Sequence, residues 1–228
     1  MPDVMEPDRP ARNAAGANLK WYPLAEIVTP HMPTQGNYPD GHPRGAVVHF
    51  TAGRDRDEGN ARNTVAHGRE NGYCFFVIGP TGMVYQAFPL DRWGYHAGES
   101  AWPGLGSGVS SKLVGIEVLS AGLLDGNRKS WFGEQYAAAE VRSVTEAQHG
   151  CPRGIYRRFT NEQEEALKAL LLWLKSNNPS VFALDLVLGH HEVAGMRGIG
   201  RWRKNDPGGA LSVSMDAFRT GLRAAAPA

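Results

Sequence analysis

Five short apolar runs, each cut off by glycine, proline or a polar cluster, constrain this chain more than any other feature of its sequence. They are AVVHF at 46–50, YCFFVIG at 73–79, MVYQAF at 83–88, KLVGIEVLS at 112–120 and LDLVLG at 184–189. Runs of this length, rich in β-branched and aromatic residues, read as buried strands. Pro80, Thr81 and Gly82 separate the second from the third and predict a hairpin. Between and after these runs the period changes. A short helix is expected near residues 63–71, and the clearest helix follows Thr160, which forms a capping box with Gln163. Ala166, Leu167, Leu170, Leu171 and Leu174 supply its apolar face, and Asn177, Asn178 and Pro179 stop it. A last helix over about Ser214 to Arg223 would pack through Met215, Phe218 and Leu222. Strands alternating with helices predict an α/β fold, a mixed central sheet flanked by helices.

Length and charge limit the organisation and the partners. At 228 residues, 42% hydrophobic and 21% charged, the chain can build a core without disulfide staples. Residues 1–20, rich in proline, alanine, arginine and asparagine, read as a flexible arm. Residues 21–228 then form a single domain, with an insertion at about 121–159 where the strand pattern breaks into a glycine-rich turn, an amphipathic stretch near EQYAAAEVRSV and the segments HGCPRG and IYRRF. A net charge of +1, from 24 basic and 23 acidic side chains, argues against nucleic acid as a partner. The local cluster of Arg197, Arg201, Arg203 and Lys204 reads as a solvated face or a clamp for substrate carboxylates. Cys74 reads as a small buried hydrophobe, while Cys151 sits in a Gly/Pro turn where a bridge stays open. The first residues lack the basic start and apolar stretch of a signal peptide, and no window is apolar enough to span a membrane. A chain made in the cytoplasm and working as a monomer is expected; action on an external target would need another route out.

Histidines and a carboxylate stand at the ends of the predicted strands. His49 ends VVHF, His190 and His191 follow LVLG, and Asp206 lies in the turn RKNDPGG. Two imidazoles and a carboxylate from separate loops make the open three-ligand set of catalytic zinc, with the fourth position left for water. By residue type alone, each also has an ordinary structural role. With eight histidines in the chain, a histidine after a strand is an expected coincidence, and Asp before Pro is a common turn former.

The segments VVHFTAG, GYCFFVIGPTGMVYQ, YHAGES, LVGIEV, LGHHE and RKNDPGG, in this order, resemble the zinc-dependent N-acetylmuramoyl-L-alanine amidases of the type 2 amidase and peptidoglycan recognition protein family. That family includes phage endolysins, anhydromuramyl-peptide amidases and animal peptidoglycan recognition proteins. The likeness runs over about residues 44–120 and 160–220. It implies the peptidoglycan recognition protein fold, one zinc ion, and hydrolysis of the amide bond between N-acetylmuramic acid and L-alanine in peptidoglycan or muropeptides. His49, His190 and Asp206 are similar to the family's zinc ligands, His190 because the second ligand directly follows a glycine, here Gly189; the doublet leaves His191 open as the alternative. Lys204 matches the lysine that steadies the charge on the scissile carbonyl, and Glu117 the glutamate of the anhydromuramyl-peptide amidases. Tyr73 matches a tyrosine near the metal, and His96 a histidine lining the substrate groove.

Amide hydrolysis asks for an activated water, donors for the oxyanion and a proton for the leaving nitrogen, which Glu117, Lys204 and Tyr73 suit. Their plain readings are a strand-end ion-pair partner, a surface charge and a packing residue. The segment from His190 to Lys204 departs from compact family members by its length. Non-catalytic sensors of the family lack the third ligand, so the presence of Asp206 favours the enzyme over a binding module. A lytic, endolysin-like role is expected from the insertion, with a cytoplasmic muropeptide-recycling amidase or an injected toxin as the alternative settings.

Overall fold

The computed structural model describes residues 18–194 and 203–226. Its centre is a sheet of six strands, ordered in space as Ala25–Ile27, Val84–Gln86, Phe76–Ile78, Val114–Val118, Ala46–Phe50 and Val187–Gly189. All neighbours run parallel except the hairpin Phe76–Ile78 and Val84–Gln86, which is antiparallel as its turn residues predict. The mixed α/β architecture expected above is therefore the one found. Leu184–Leu186, read as the start of a strand, is a short 3-10 turn instead, and pairing begins only at Val187.

Alternation along two central strands separates two cores. Ala46, Val48 and Phe50, with Val114, Ile116 and Val118, join the large core, where Leu167, Leu170, Leu171, Leu174, Met215, Phe218 and Leu222 of the two C-terminal helices also pack. Val47 points the other way, into a smaller cluster with Ala97, Val109, Leu113 and Leu188. Successive side chains on a strand leave opposite faces, so His49 shares the side of Val47, and Glu117 the side of Gly115. That second face carries the site.

The helices begin where the caps dictate. Thr160 and Gln163 exchange both capping bonds, 2.9 and 3.1 Å, at the head of the helix Asn161–Asn177. Ser214 caps Met215–Ala225 by accepting from the Ala217 N–H at 3.2 Å. The helix expected near 63–71 runs from Glu58 to Asn71, because Asp57 accepts from the Asn60 N–H and starts it earlier. Gly59 and Asn60 are poor helix formers, which hid that first turn.

The segment at 121–159 has its own small sheet, with Gly154–Arg157 between Leu123–Leu124 and Val141–Val144, all antiparallel. The stretch EQYAAAEVRSV is a 3-10 turn over Ala138–Glu140 followed by strand; cross-strand pairing with GIYR outweighs the helix preference of three alanines. Ala121, Leu124 and Tyr136 make a separate core there. The buried carboxylate of Asp55 ties this sheet to the main body, accepting from the Arg157 guanidinium and the Tyr136 hydroxyl, both at 2.9 Å. Both cysteines are buried and free, and burial pushes the Cys151 thiol up to about 11. No helix among the described residues is long and apolar enough to cross a membrane. Residues 1–17 of the expected arm, with Arg197 and Arg201, lie outside the described residues.

Candidate active site

Three neighbouring parallel strands deliver their ends to one place, the usual location of a site on an open parallel sheet. His49 is paired in register with Glu117 on one side, and Gly189 with Val48 on the other, so His190 emerges beside His49. Glu192 fixes the turn after Gly189: its carboxylate accepts from the Gly189 N–H at 2.7 Å and is held by a bidentate Arg219 at 2.9 and 3.0 Å. Asp206 reaches in from the following loop.

The Nδ1 atoms of His49 and His190 lie 3.0 Å apart, and Asp206 Oδ2 is 3.0 Å from the first and 2.9 Å from the second. All three side chains are buried. Ligand atoms at zinc's ordinary bond lengths on a tetrahedral ion stand about 3.3 Å from one another, so this triangle is of the right size and chemistry for that ion. His191 is arranged differently. Its backbone N–H donates to the Asp206 carbonyl at 2.9 Å, and its ring Nδ1 lies 2.9 Å from the same oxygen.

Two carbonyls assign the tautomers of both imidazoles in the triangle. His190 Nε2 sits 3.1 Å from the Ala97 carbonyl, and because a carbonyl only accepts, that nitrogen carries the proton. His49 reaches the same state through a relay. His96 Nε2 donates to the Leu113 carbonyl at 2.9 Å, which leaves His96 Nδ1 to accept from His49 Nε2 at 3.2 Å. Both Nδ1 lone pairs are thereby turned into the triangle, the orienting arrangement that metal-binding histidines use. Burial, with the neighbouring His190, pushes His49 down to about 4, and burial with His49 pushes His96 well below the usual histidine range. For Asp206, burial raises the carboxyl, but His190 and His49 outweigh it and hold it far below the usual range. Gly115 makes room for the relay, since a Cβ there would stand 2.6 Å from the His96 ring.

A cleft of about 950 Å³ opens over the triangle, lined among others by Tyr73, Glu117, Trp131 and Lys204. Glu117 is pushed up to about 8 by burial and by the charge of Asp206, with Lys204 opposing. Its Oε2 is enclosed and has no hydrogen-bond partner among the described residues. Tyr73 is half exposed on the cleft wall, its ring 6.3 Å from that of His67. His96 borders the cleft and is at the same time bonded to His49. Arg203 donates to the Glu99 carbonyl at 2.6 Å, which uses one arm of the expected basic clamp. Sequence reasoning singled out neither Trp131 nor Arg54 at the cleft; an aromatic residue inside the polar turn NRKSWFGE was the available signal for the first.

Fold and site together define a mixed-sheet α/β domain with a buried two-histidine, one-carboxylate centre at the carboxyl ends of its strands. The chain belongs to the N-acetylmuramoyl-L-alanine amidase family, whose sequence profile matches residues 39–209, and it is an enzyme of that activity on peptidoglycan. No curated protein sequence is similar enough to count as a match. Solved structures of similar fold include a selenomethionine derivative of AmpD, 20% identical, covering 94% of this chain and 100% of its own, with a TM-score of 0.53. The Escherichia coli amidase AmiD, in complex with anhydro-N-acetylmuramic acid-L-Ala-D-γ-Glu-L-Lys, is 20% identical over 74% of this chain and 55% of its own, with a TM-score of 0.50. The catalytic domain of XlyA is 18% identical over 86% of this chain and 95% of its own, also at 0.50.

Proposed function

We propose that this chain is a zinc-dependent lytic amidase, with His49, His190 and Asp206 as the ligands of one ion. The observation that carries this reading is the triangle of two bare Nδ1 atoms and a carboxylate oxygen, each about 3 Å from the others, facing the cleft. Zinc bound there would supply Lewis acidity to the scissile carbonyl and to the attacking water. Glu117 takes the water's proton and returns it to the leaving nitrogen; burial and the charge of Asp206 raise its carboxyl in the metal-free protein, and a bound dication would bring it back down toward the range a base needs. Lys204 donates to the oxygen that becomes negative as the carbonyl is attacked, and the Tyr73 hydroxyl is a second donor lining the same cleft. His96 lines the cleft that would receive substrate, and it has a second role. It positions His49 by holding its tautomer.

That role is checked by metal affinity rather than turnover. Titrating zinc into metal-free protein, His96→Ala is expected to bind about 10–100-fold more weakly than the wild type, the usual effect of losing a group that orients a ligand. His96→Gln offers an acceptor for His49 and a donor for Leu113, and should recover part of the loss. Equal affinity in all three proteins would remove His96 from the scheme.

The segment at 121–159 supports a lytic rather than a recycling role, because it adds the exposed Trp131 to the lining of the cleft. Purified protein should release stem peptides beginning at L-alanine from intact sacculi, and a chelator should stop the release. Hydrolysis confined to soluble anhydro-muropeptides would reassign the chain to recycling. Sacculi bound but never cut would point to a sensor.

A further inference from the structure

Trp131 is the most exposed large apolar side chain among the described residues, 78% open to solvent, yet the turn that carries it and its indole N–H are both hydrogen-bonded in place. It occupies a tight turn closed by the Gly133 N–H on the Ser130 carbonyl at 2.9 Å, and the Ser130 hydroxyl accepts from the Glu134 N–H at 2.9 Å. Its indole Nε1–H donates to the Ala52 carbonyl at 2.6 Å, and the Phe132 ring meets it edge-on at 5.5 Å. Ala52 presents that carbonyl from a left-handed conformation, φ 51°, which alanine adopts only at a cost. Ala52 lies three residues beyond His49, and the indole lines the same cleft as the triangle, with its polar edge satisfied and most of its surface open to solvent.

A bare aromatic face fixed at the rim of a polar cleft asks for a ligand that is flat and apolar on one side and polar at its edge. The substrate of the proposed reaction consists of sugar rings and a peptide. The peptide seen with AmiD is made of alanine, γ-linked glutamate and lysine, none of which offers a flat apolar surface. A pyranose ring does: its axial C–H bonds form an apolar face and its hydroxyl and acetamido groups a polar rim. Arg54 and the side-chain amides of Asn60 and Asn63 line the same cleft and suit such a rim. We propose that Trp131 is a sugar-binding platform that stacks on an N-acetylhexosamine ring of the glycan strand, next to the bond that is cut. Because the platform is built in advance by the turn and by Ala52, little ordering is needed when the glycan arrives. The inference rests on the amidase reading only for the identity of the glycan.

The test uses N-acetylglucosamine tetramer, which carries no stem peptide and is not a substrate for amide hydrolysis. Calorimetric titration into the full chain should show binding that Trp131→Ala weakens tenfold or more, with Trp131→Phe, which keeps an aromatic face, in between. The free peptide L-Ala-D-γ-Glu-L-Lys should bind wild type and Trp131→Ala alike. No tetramer binding by the wild type, tetramer affinity changed less than twofold in Trp131→Ala, or a loss confined to the peptide would overturn the proposal. Unchanged melting temperatures of both variants exclude misfolding as the cause. Failure of the amidase reading would show separately, as sacculi left uncut while the tetramer titration still gives its answer.

Discussion

Replacing Asp206 with alanine is expected to leave no measurable hydrolysis of sacculi and to weaken zinc binding far more than the about 10–100-fold seen when only an orienting group is lost. The carboxylate is the one anion of the triangle, and its Oδ2 stands about 3 Å from both bare Nδ1 atoms. Without it two neutral Nδ1 atoms remain, 3.0 Å apart, with nothing to balance a divalent charge. Asp206→Asn separates shape from charge: it keeps the side-chain outline and should still fail. Zinc titration by calorimetry and mass spectrometry of the released peptides give the two readouts. Wild-type zinc affinity in Asp206→Ala would dismantle the proposed ligand set, whatever happened to turnover.

Glu117→Gln is expected to lower kcat by roughly 10²–10⁴-fold, the usual worth of a positioned acid or base, while zinc affinity stays within a few fold. A second effect, on stability, follows from the same carboxyl. In the metal-free protein Glu117 is raised from 4.5 to about 8, so between these values the folded chain keeps a proton that the unfolded chain has released. The stabilisation is fully present below the unfolded value and is lost as pH rises through about 8. Glutamine has no such dependence. Denaturant titrations of chelated protein should therefore show Glu117→Gln gaining on the wild type across this window, by roughly 2–4 kcal/mol at its upper end. A constant difference from pH 5 to 8 would mean that Glu117 is solvated and ordinary, and would weaken its assignment as the base.

The central strands and the two C-terminal helices were legible because each has a local cause. β-branched runs end in glycine, and Thr160 with Gln163 announces its helix. The edge strand Ala25–Ile27 was not legible; it is three residues long, contains Glu26, and exists through pairing with Val84–Gln86. The small sheet at 121–159 was hidden for the same reason, since its strands are two to four residues long and hold one another in place. At the site, residue types alone left ordinary structural roles open; the resemblance of the ordered motifs pointed to His49, Asp206 and His190, with His191 as the alternative. What no sequence pattern displays is the use of main-chain carbonyls. Leu113 and Ala97 set the tautomers of two histidines through atoms that every residue possesses, so only the folded geometry reveals them.

The segment at 121–159 leaves and rejoins the main body at almost one point. The Ser120 hydroxyl donates to the Arg157 carbonyl at 3.0 Å, and the Arg157 N–H donates to the Gly122 carbonyl at 2.8 Å. Ends already tied together make the length of chain between them nearly indifferent to the rest of the fold, because closing a longer loop adds little entropic cost. The base of the segment is keyed to the main body, since Val144, Cys151 and Tyr156 pack in the large core and Arg142 donates to the carbonyls of Gly209, Ala210 and Leu211; its tip, around residues 125–135, is where length and sequence can be rewritten to change the surface offered to the wall polymer without moving His49, Glu117 or His190.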